Sequence, residues 1–156
     1  MPYWFDGNNL IGKPARLVRS EPETRRRFLS YLSACSRSRG GKFLVFFDGD
    51  DPDRSVPPTG VRVRYSAPLS TDDAIVRELS GCSLPSEVIV VTNDNRLASR
   101  CRDSGAKVIG WQEFAAKMNS AARAPSCGAR PQNEPVDIDE WVRYFRLDKD
   151  SLELAR

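Results

Sequence analysis

Phe43-Leu44-Val45-Phe46-Phe47-Asp48-Gly49 is the stretch whose reading decides the fold. An unbroken apolar run leaves no polar face, so it reads as a central strand covered on both sides, as in parallel sheets. Two shorter runs end in a similar way. Tyr3-Trp4-Phe5 closes on Asp6, and Val88 to Val91 leads through Thr92-Asn93 to Asp94. If these runs are parallel strands, three acids stand at strand carboxyl ends, the edge where open α/β sheets bind ligands.

The segments between the runs alternate with them. A loop from Gly7 through Gly12 follows the first strand. Ser20-x-x-Glu23 with Pro22 reads as a capping box, opening a helix to about Cys35 with Phe28, Leu32 and Cys35 on one face. Gly40-Gly41 ends that unit. Val61-Arg62-Val63-Arg64-Tyr65 alternates strictly and reads as a half-exposed or edge strand, one face apolar and the other basic. Ser70 or Thr71 caps a helix carrying Ile75, Val76 and Leu79, with Asp72 and Asp73 in its first turn. A helix from Asn95 to about Ser104 turns Leu97, Ala98 and Cys101 inward, and Gly105 is its expected stop. Lys107-Val108-Ile109 is a last short strand, and Gln112 to about Ala122 a helix. This β/α alternation predicts a doubly wound sheet.

The expected organisation is one α/β domain over residues 1–122, a linker over 123–135, and a helical segment over 136–156. The linker holds three prolines, Pro125, Pro131 and Pro135, with Gly128 between them. Beyond it Ile138, Trp141, Val142 and Phe145 form a stripe at i, i+3, i+4 and i+7. A helix this short is marginal alone, so it is expected to dock on the domain or on a partner, a second copy among the candidates.

Composition narrows the chemistry. At 156 residues, 40% apolar and 29% charged, the chain is globular in character. No apolar run approaches the roughly 20 residues of a membrane span. No signal peptide is legible, so a cytoplasmic location is expected. There is no histidine, which removes histidine acid/base catalysis, Ser/Cys–His nucleophiles and His-containing zinc sites. Cys35, Cys82, Cys101 and Cys127 are scattered with no C-x-x-C pair and read as reduced, mostly buried thiols. Net charge is only +3, but Arg16, Arg19, Arg25, Arg26, Arg27, Arg37, Arg39 and Lys42 cluster. Such a cluster attracts phosphate backbones or forms a solvated helix face. Trp4, Trp111 and Trp141 are expected to pack rather than to stack on bases.

Carboxylates gathered at one edge repel one another unless a divalent cation neutralises them. Asp6, Asp48, Asp72, Asp73 and Asp94 are therefore candidate ligands for a hard metal ion. Each has an ordinary alternative: Asp72 and Asp73 as helix-start acids, Asp48-Gly49 as a turn, Asp94 as an N-cap.

Asp6-Gly7-Asn8-Asn9-Leu10-Ile11-Gly12, Val45-Phe46-Phe47-Asp48-Gly49, Ser70-Thr71-Asp72-Asp73-Ala74-Ile75 and Val91-Thr92-Asn93-Asp94 together resemble the NYN domains, and more closely the YacP-like branch of the PIN-like nucleases. The resemblance spans roughly residues 3–120; the segment after 123 matches none of its patterns. It implies a PIN-like α/β/α sandwich with a mainly parallel central sheet, followed by the linker and short C-terminal helix. It also implies metal-dependent RNA cleavage with Mg²⁺ or Mn²⁺ on the clustered acids. Asp6 matches the first-strand aspartate, Asn9 the asparagine after it, Asp48 the second-strand aspartate, Asp72 the helix-start acid with Asp73 beside it, and Asp94 the aspartate after the fourth family strand. The loop after Asp48 departs from the pattern in its extra acids, Asp50, Asp51 and Asp53.

The chemistry suits this inventory. A divalent ion lowers the pKa of its water and clamps a phosphate, and Mg²⁺ takes oxygen ligands while keeping several waters. Asp6 and Asp94 are the expected primary ligands, with Asp48 and Asp72 completing the catalytic set directly or through water. Asn9 is expected to orient a ligand or the substrate phosphate, and Thr92 and Asn93 to hydrogen-bond phosphate or a carboxylate. Lys13, Arg16, Arg62, Arg64 and Arg96 are candidates for holding the RNA backbone. The alternative is an RNA-binding module of the same fold that cuts nothing. An aspartyl phosphatase is disfavoured by Asn8, two residues after Asp6. No P-loop motif occurs, and no organic cofactor is expected.

Overall fold

The computed structural model describes residues 1–11, 21–50 and 56–122. Lys13, Arg16, the Ser20 cap, Asp51, Asp53, Cys127, the linker and the Ile138–Phe145 stripe lie outside the described residues. The chain divides into two compact units, Met1–Trp111 and Gln112–Arg156.

The first unit holds a five-stranded, wholly parallel sheet. Its strands are β1 (Pro2–Asp6), β2 (Lys42–Phe47), β3 (Val61–Tyr65), β4 (Ile89–Val91) and β5 (Lys107–Ile109), in spatial order β3-β2-β1-β4-β5. The order reverses at β1: β2 lies on one side of it and β4 on the other. Such a switch point is where ligands bind in open α/β sheets. The continuous run of β2 is buried on both faces: Phe43, Val45, Phe46 and Phe47 are all 2% exposed or less. The alternating segment is an edge strand, with Val61 buried and Arg62 and Arg64 exposed.

The helices are α1 (Gly7–Ile11), α2 (Glu21–Arg39), α3 (Thr71–Ser80), α4 (Asn95–Asp103) and α5 (Trp111–Ala122), with a 3-10 turn at Pro85–Glu87. Right-handed crossovers send α2 to one face of the sheet and α3 and α4 to the other. The packing agrees. On the α3/α4 face Trp4, Phe46 and Val90 join Ile75, Leu79, Leu97 and Cys101 in one buried cluster. On the opposite face Phe5 meets Phe28 of α2 and Phe43, and Trp111 packs on Phe28 and Tyr31.

The expected loop after β1 is instead the short helix α1. Two contacts explain it. Asp6 Oδ1 accepts the Asn9 N–H, and Leu10 is buried. Gly7 permits the turn, because a Cβ there would lie 2.5 Å from the Phe47 ring and 2.8 Å from the Phe46 carbonyl oxygen. Helix α2 runs one turn past the expected Cys35 before the Gly40 N–H returns to the Ser36 carbonyl. Gly105, at φ +91°, follows the C-cap Ser104 and stops α4 as expected.

Candidate active site

Strand alternation puts Asp6 on the same face as Trp4, so its carboxylate stands at the carboxyl end of β1 on the α3/α4 side. It is 3% exposed. The Thr92 hydroxyl donates to Asp6 Oδ2 at 3.2 Å, and the Asn9 N–H reaches Oδ1 at 3.5 Å. These bonds do not offset the surroundings. Burial first, then Asp72, with a smaller push from Asp94, raises the Asp6 carboxyl to about 6.

Asp72 opens α3 and is half-buried. Burial and Asp94 raise its pKa, with Asp48 and Asp73 adding to the effect and Arg100 opposing it. Asp94 caps α4: its Oδ1 accepts the N–H groups of Arg96 at 2.8 Å and Leu97 at 3.2 Å. The ordinary reading of Asp94 as an N-cap is thus realised, yet the same side chain adds negative charge beside Asp6 and Asp72. The field reaches the core below. Burial, then Asp72 and to a lesser degree Asp6, lifts the Cys101 thiol to about 11 against the opposing Arg100 and Arg102.

Asp48 and Asp73 are held differently. Asp48 Oδ1 accepts both the N–H and the hydroxyl of Thr71, and Oδ2 accepts from Asn8 Nδ2 at 2.8 Å. Burial pushes Asp48 upward, but the bonds from Thr71 and Asn8 outweigh it and its pKa falls. Asp48 therefore stays ionised while it pins the start of α3 to the end of β2. Asp73 is exposed, and Arg100 Nη2 lies 2.8 Å from its Oδ1; that hydrogen bond holds its pKa low.

The two asparagines brace the backbone. Asn9 Oδ1 accepts the Asn93 N–H at 3.0 Å, and Asn93 Oδ1 accepts the Trp111 N–H at 3.0 Å. The Thr92 hydroxyl accepts the Asp94 N–H at 3.1 Å. The β4–α4 turn is thereby tied to α1, to Asp6 and to the end of β5. Sequence reasoning placed Thr92 and Asn93 on phosphate or a carboxylate and Asn9 on a ligand or phosphate; Thr92 does bond the Asp6 carboxylate, whereas the side-chain oxygens of Asn9 and Asn93 accept backbone N–H groups. It missed Asn8 and Thr71 as partners of Asp48, although Thr71 was legible as a helix start.

Of the proposed RNA-contacting cations, Arg62 is exposed on β3. Arg64 pairs with Glu78 of α3, Nη1 to Oε2 at 2.6 Å. Arg96 is exposed in the first turn of α4.

Asp6, Asp72 and Asp94 thus come from β1, α3 and the start of α4; Asp72 and Asp94 oppose the ionisation of Asp6, and Asp94 that of Asp72, while Asp48 and Asp73 flank them. Among the described residues, no three such side chains converge as a ready-made cage for a metal ion. The donors are all carboxylate oxygens in a chain without histidine. A buried charge whose ionisation its surroundings oppose is a place where a divalent cation lowers the free energy. The set therefore fits a hard cation that keeps much of its water and takes one or two carboxylates directly, as Mg²⁺ does. It does not fit an ion that needs a complete protein shell.

The family model for the YacP-like NYN domain matches residues 4–156. The match runs through the segment after 123, in which the sequence showed a helical stripe but none of the family's patterns. Among solved structures, the chain is similar to the crystal structure of Rae1 (YacP) from Bacillus subtilis. The TM-score is 0.64 at 17% identity, covering 99% of this chain and 87% of that one. The W164L mutant of the same protein gives a TM-score of 0.62 at 19% identity, with both chains fully covered. At such identities the likeness speaks for the fold. No curated protein sequence matches the chain.

Proposed function

We propose that this chain, which belongs to the family of YacP-like NYN domains, is a metal-dependent endoribonuclease that hydrolyses RNA phosphodiester bonds. The family is nuclease-like, PIN-like in fold and RNA-related. The observation that carries the finer reading is the state of Asp6. It is buried at the switch point of the sheet, and burial, Asp72 and Asp94 together raise its carboxyl to about 6.

In this reading Asp6, Asp72 and Asp94 hold the cation, with Asp48 and Asp73 beside them. A bound Mg²⁺ or Mn²⁺ would supply an activated water and neutralise charge on the phosphate. Asp48 fixes α3, and with it Asp72, relative to β2. Thr92, Asn9 and Asn93 fix the turn that bears Asp94. Arg62 and Arg96, with Lys13 and Arg16 from outside the described residues, hold the RNA backbone; Arg64 joins them when it leaves Glu78.

Among the described residues no helix is long and apolar enough to cross a membrane. A cytoplasmic location belongs to the same proposal and agrees with the free thiols of Cys35, Cys82 and Cys101. So does the division into a nuclease domain over 1–122, a linker over 123–135 and a docking segment over 136–156 that contacts the domain, a second copy or another protein.

The test is a titration of purified protein with Mn²⁺ against mixed RNA and DNA oligonucleotides. RNA cleavage that depends on the ion and is abolished by EDTA is the expected result. The second reading, an RNA-binding module that cuts nothing, draws on the lack of a ready-made ligand cage among the described residues. RNA binding without cleavage at any Mn²⁺ or Mg²⁺ concentration would favour it and reject the first.

A further inference from the structure

On the α2 side of the edge strand, away from the carboxylates, lies a groove of about 420 Å³. Arg26 and Leu29 of α2, Val63 and Tyr65 of β3, and Pro57 and Pro58 line it. Val56 stands at its margin, 92% exposed. This volume falls in the range of small-ligand pockets, roughly 300–1,000 Å³. Most of the lining is aliphatic or proline and offers no pattern of donors and acceptors. The directional groups are the Tyr65 ring, the Ser30 hydroxyl and the Arg26 guanidinium. A flat apolar ring carrying a negative charge to one side complements such a surface.

The groove reaches the carboxyl edge of the sheet at Tyr65. Tyr65 ends β3 at the same carboxyl edge of the sheet that bears the acids. Its ring lies 6.0 Å, centroid to centroid, from that of Phe47, and Phe47 is bonded to Asp48. The Arg25 guanidinium sits 5.0 Å from the centre of the Phe47 ring. The strip from that edge into the groove therefore carries one partly exposed aromatic ring, Tyr65, over the buried Phe47, with cations of α2 beside it. It matches the alternation of base and phosphate in a single strand of nucleic acid. An apolar peptide would find the valines and prolines but would have no use for the arginines.

We propose that this groove receives one unstacked base of single-stranded RNA, its ring on Tyr65 and the adjoining phosphate on Arg26. The inference rests on the reading of the chain as an RNA-cleaving enzyme and extends its substrate path beyond the scissile bond. Because stacking on an aromatic ring uses the π-face that every base has, the subsite requires a base to be present more than it requires a particular one.

The experiment uses full-length protein in EDTA, so that binding is read without cleavage. The probe is a single-stranded RNA about ten nucleotides long with 2-aminopurine walked along it. Tyr65→Leu keeps apolar packing and removes the stacking ring. Arg26→Gln changes an exposed position and leaves the core untouched. Wild type is expected to change 2-aminopurine fluorescence at one or two positions. Tyr65→Leu should abolish that change and weaken binding at least about fivefold. Arg26→Gln should weaken binding and lower its salt dependence, and an abasic residue at the responsive position should weaken binding to wild type alone. RNA binding unaffected by either variant would overturn the groove while leaving the nuclease reading intact. A wild type that binds no RNA would overturn both. Occupancy of the groove by a peptide that RNA does not displace would also overturn the proposal.

Discussion

The Thr92 hydroxyl donates to Asp6 Oδ2 and accepts the Asp94 N–H, so one side chain sets the relation between a buried carboxylate and a neighbour whose charge opposes its ionisation. Thr92→Val keeps the shape and removes both bonds. A buried carboxylate oxygen and a backbone N–H would lose their partner, at about 1–3 kcal/mol. The denaturation midpoint should fall, and the Asp6 carboxyl, followed by carboxyl carbon shifts in NMR, should titrate above about 6.

Asp6→Asn should separate stability from activity. The amide removes a buried charge that its neighbours disfavour. The metal-free protein should therefore melt at a higher temperature near neutral pH, while Mn²⁺-dependent RNA cleavage falls at least about tenfold. Asp94→Asn should cost a similar factor in cleavage without loss of helix, because asparagine caps helices as well as aspartate does. Full cleavage by both variants would reject the assignment.

The Asp6 shift has a definite sign in pH. Its folded pKa, about 6, lies above the ordinary aspartate value of 3.8, so between about pH 4 and pH 6 the folded state binds more protons than the unfolded one. Stability from this group is present below about pH 4 and is lost as pH rises through about 6, at up to roughly 3 kcal/mol. Asp48 and Asp73 act oppositely, their contribution being lost as pH falls below the ordinary aspartate range. Subtracting the Asp6→Asn profile from the wild-type profile isolates the first effect. A difference flat from about pH 4 to pH 7 would contradict it, and Mg²⁺ should restore wild-type stability chiefly above about pH 6.

Arg62→Ala with Arg64→Ala should weaken RNA binding and flatten its salt dependence by about 0.7 per lost phosphate contact for a single strand. Glu78→Gln tests the ion pair from the other side: freeing Arg64 should tighten binding while costing little stability, because exposed pairs contribute about 0–1 kcal/mol. An unchanged salt slope in the double variant would remove β3 from the backbone path.

Gly7→Ala should destabilise by about 1–3 kcal/mol, because the added methyl meets the Phe47 ring and the Phe46 carbonyl. Thermal unfolding read by circular dichroism would measure the loss. A wild-type melting temperature would mean that the ring moves aside freely.

Much of this architecture was legible because its signals are local. The Phe43–Phe47 run has no polar face, Val61–Tyr65 alternates, and Ser70, Asp94 and Gly105 mark helix ends; each registers within a few residues. Helix α1 was not legible, since Gly-Asn-Asn has poor helix propensity and the turn depends on the Asp6 carboxylate and on contact with β2. The placement of the acids followed from the parallel sheet, but their condition did not. That Asp48 is satisfied by Thr71 and Asn8, Asp73 by Arg100, and Asp6 by too little depends on side chains brought together across tens of residues. The groove beside Tyr65 was hidden for the same reason: no spacing rule says that Pro57 and Pro58 face Arg26 and Leu29.

The place of β1 between β2 and β4 bears on how the molecule comes into being. Phe5 pairs with Val45 on one side and Val91 on the other. During synthesis the aromatic strand gains its first neighbour early and then waits, one flank bare, until the ribosome has made the intervening stretch and β4 itself. Over that interval a sticky edge is open to any extended segment nearby. Slowing translation between β2 and β4, or deleting β4, should therefore send the nascent product into inclusion bodies rather than leave a soluble half-sheet.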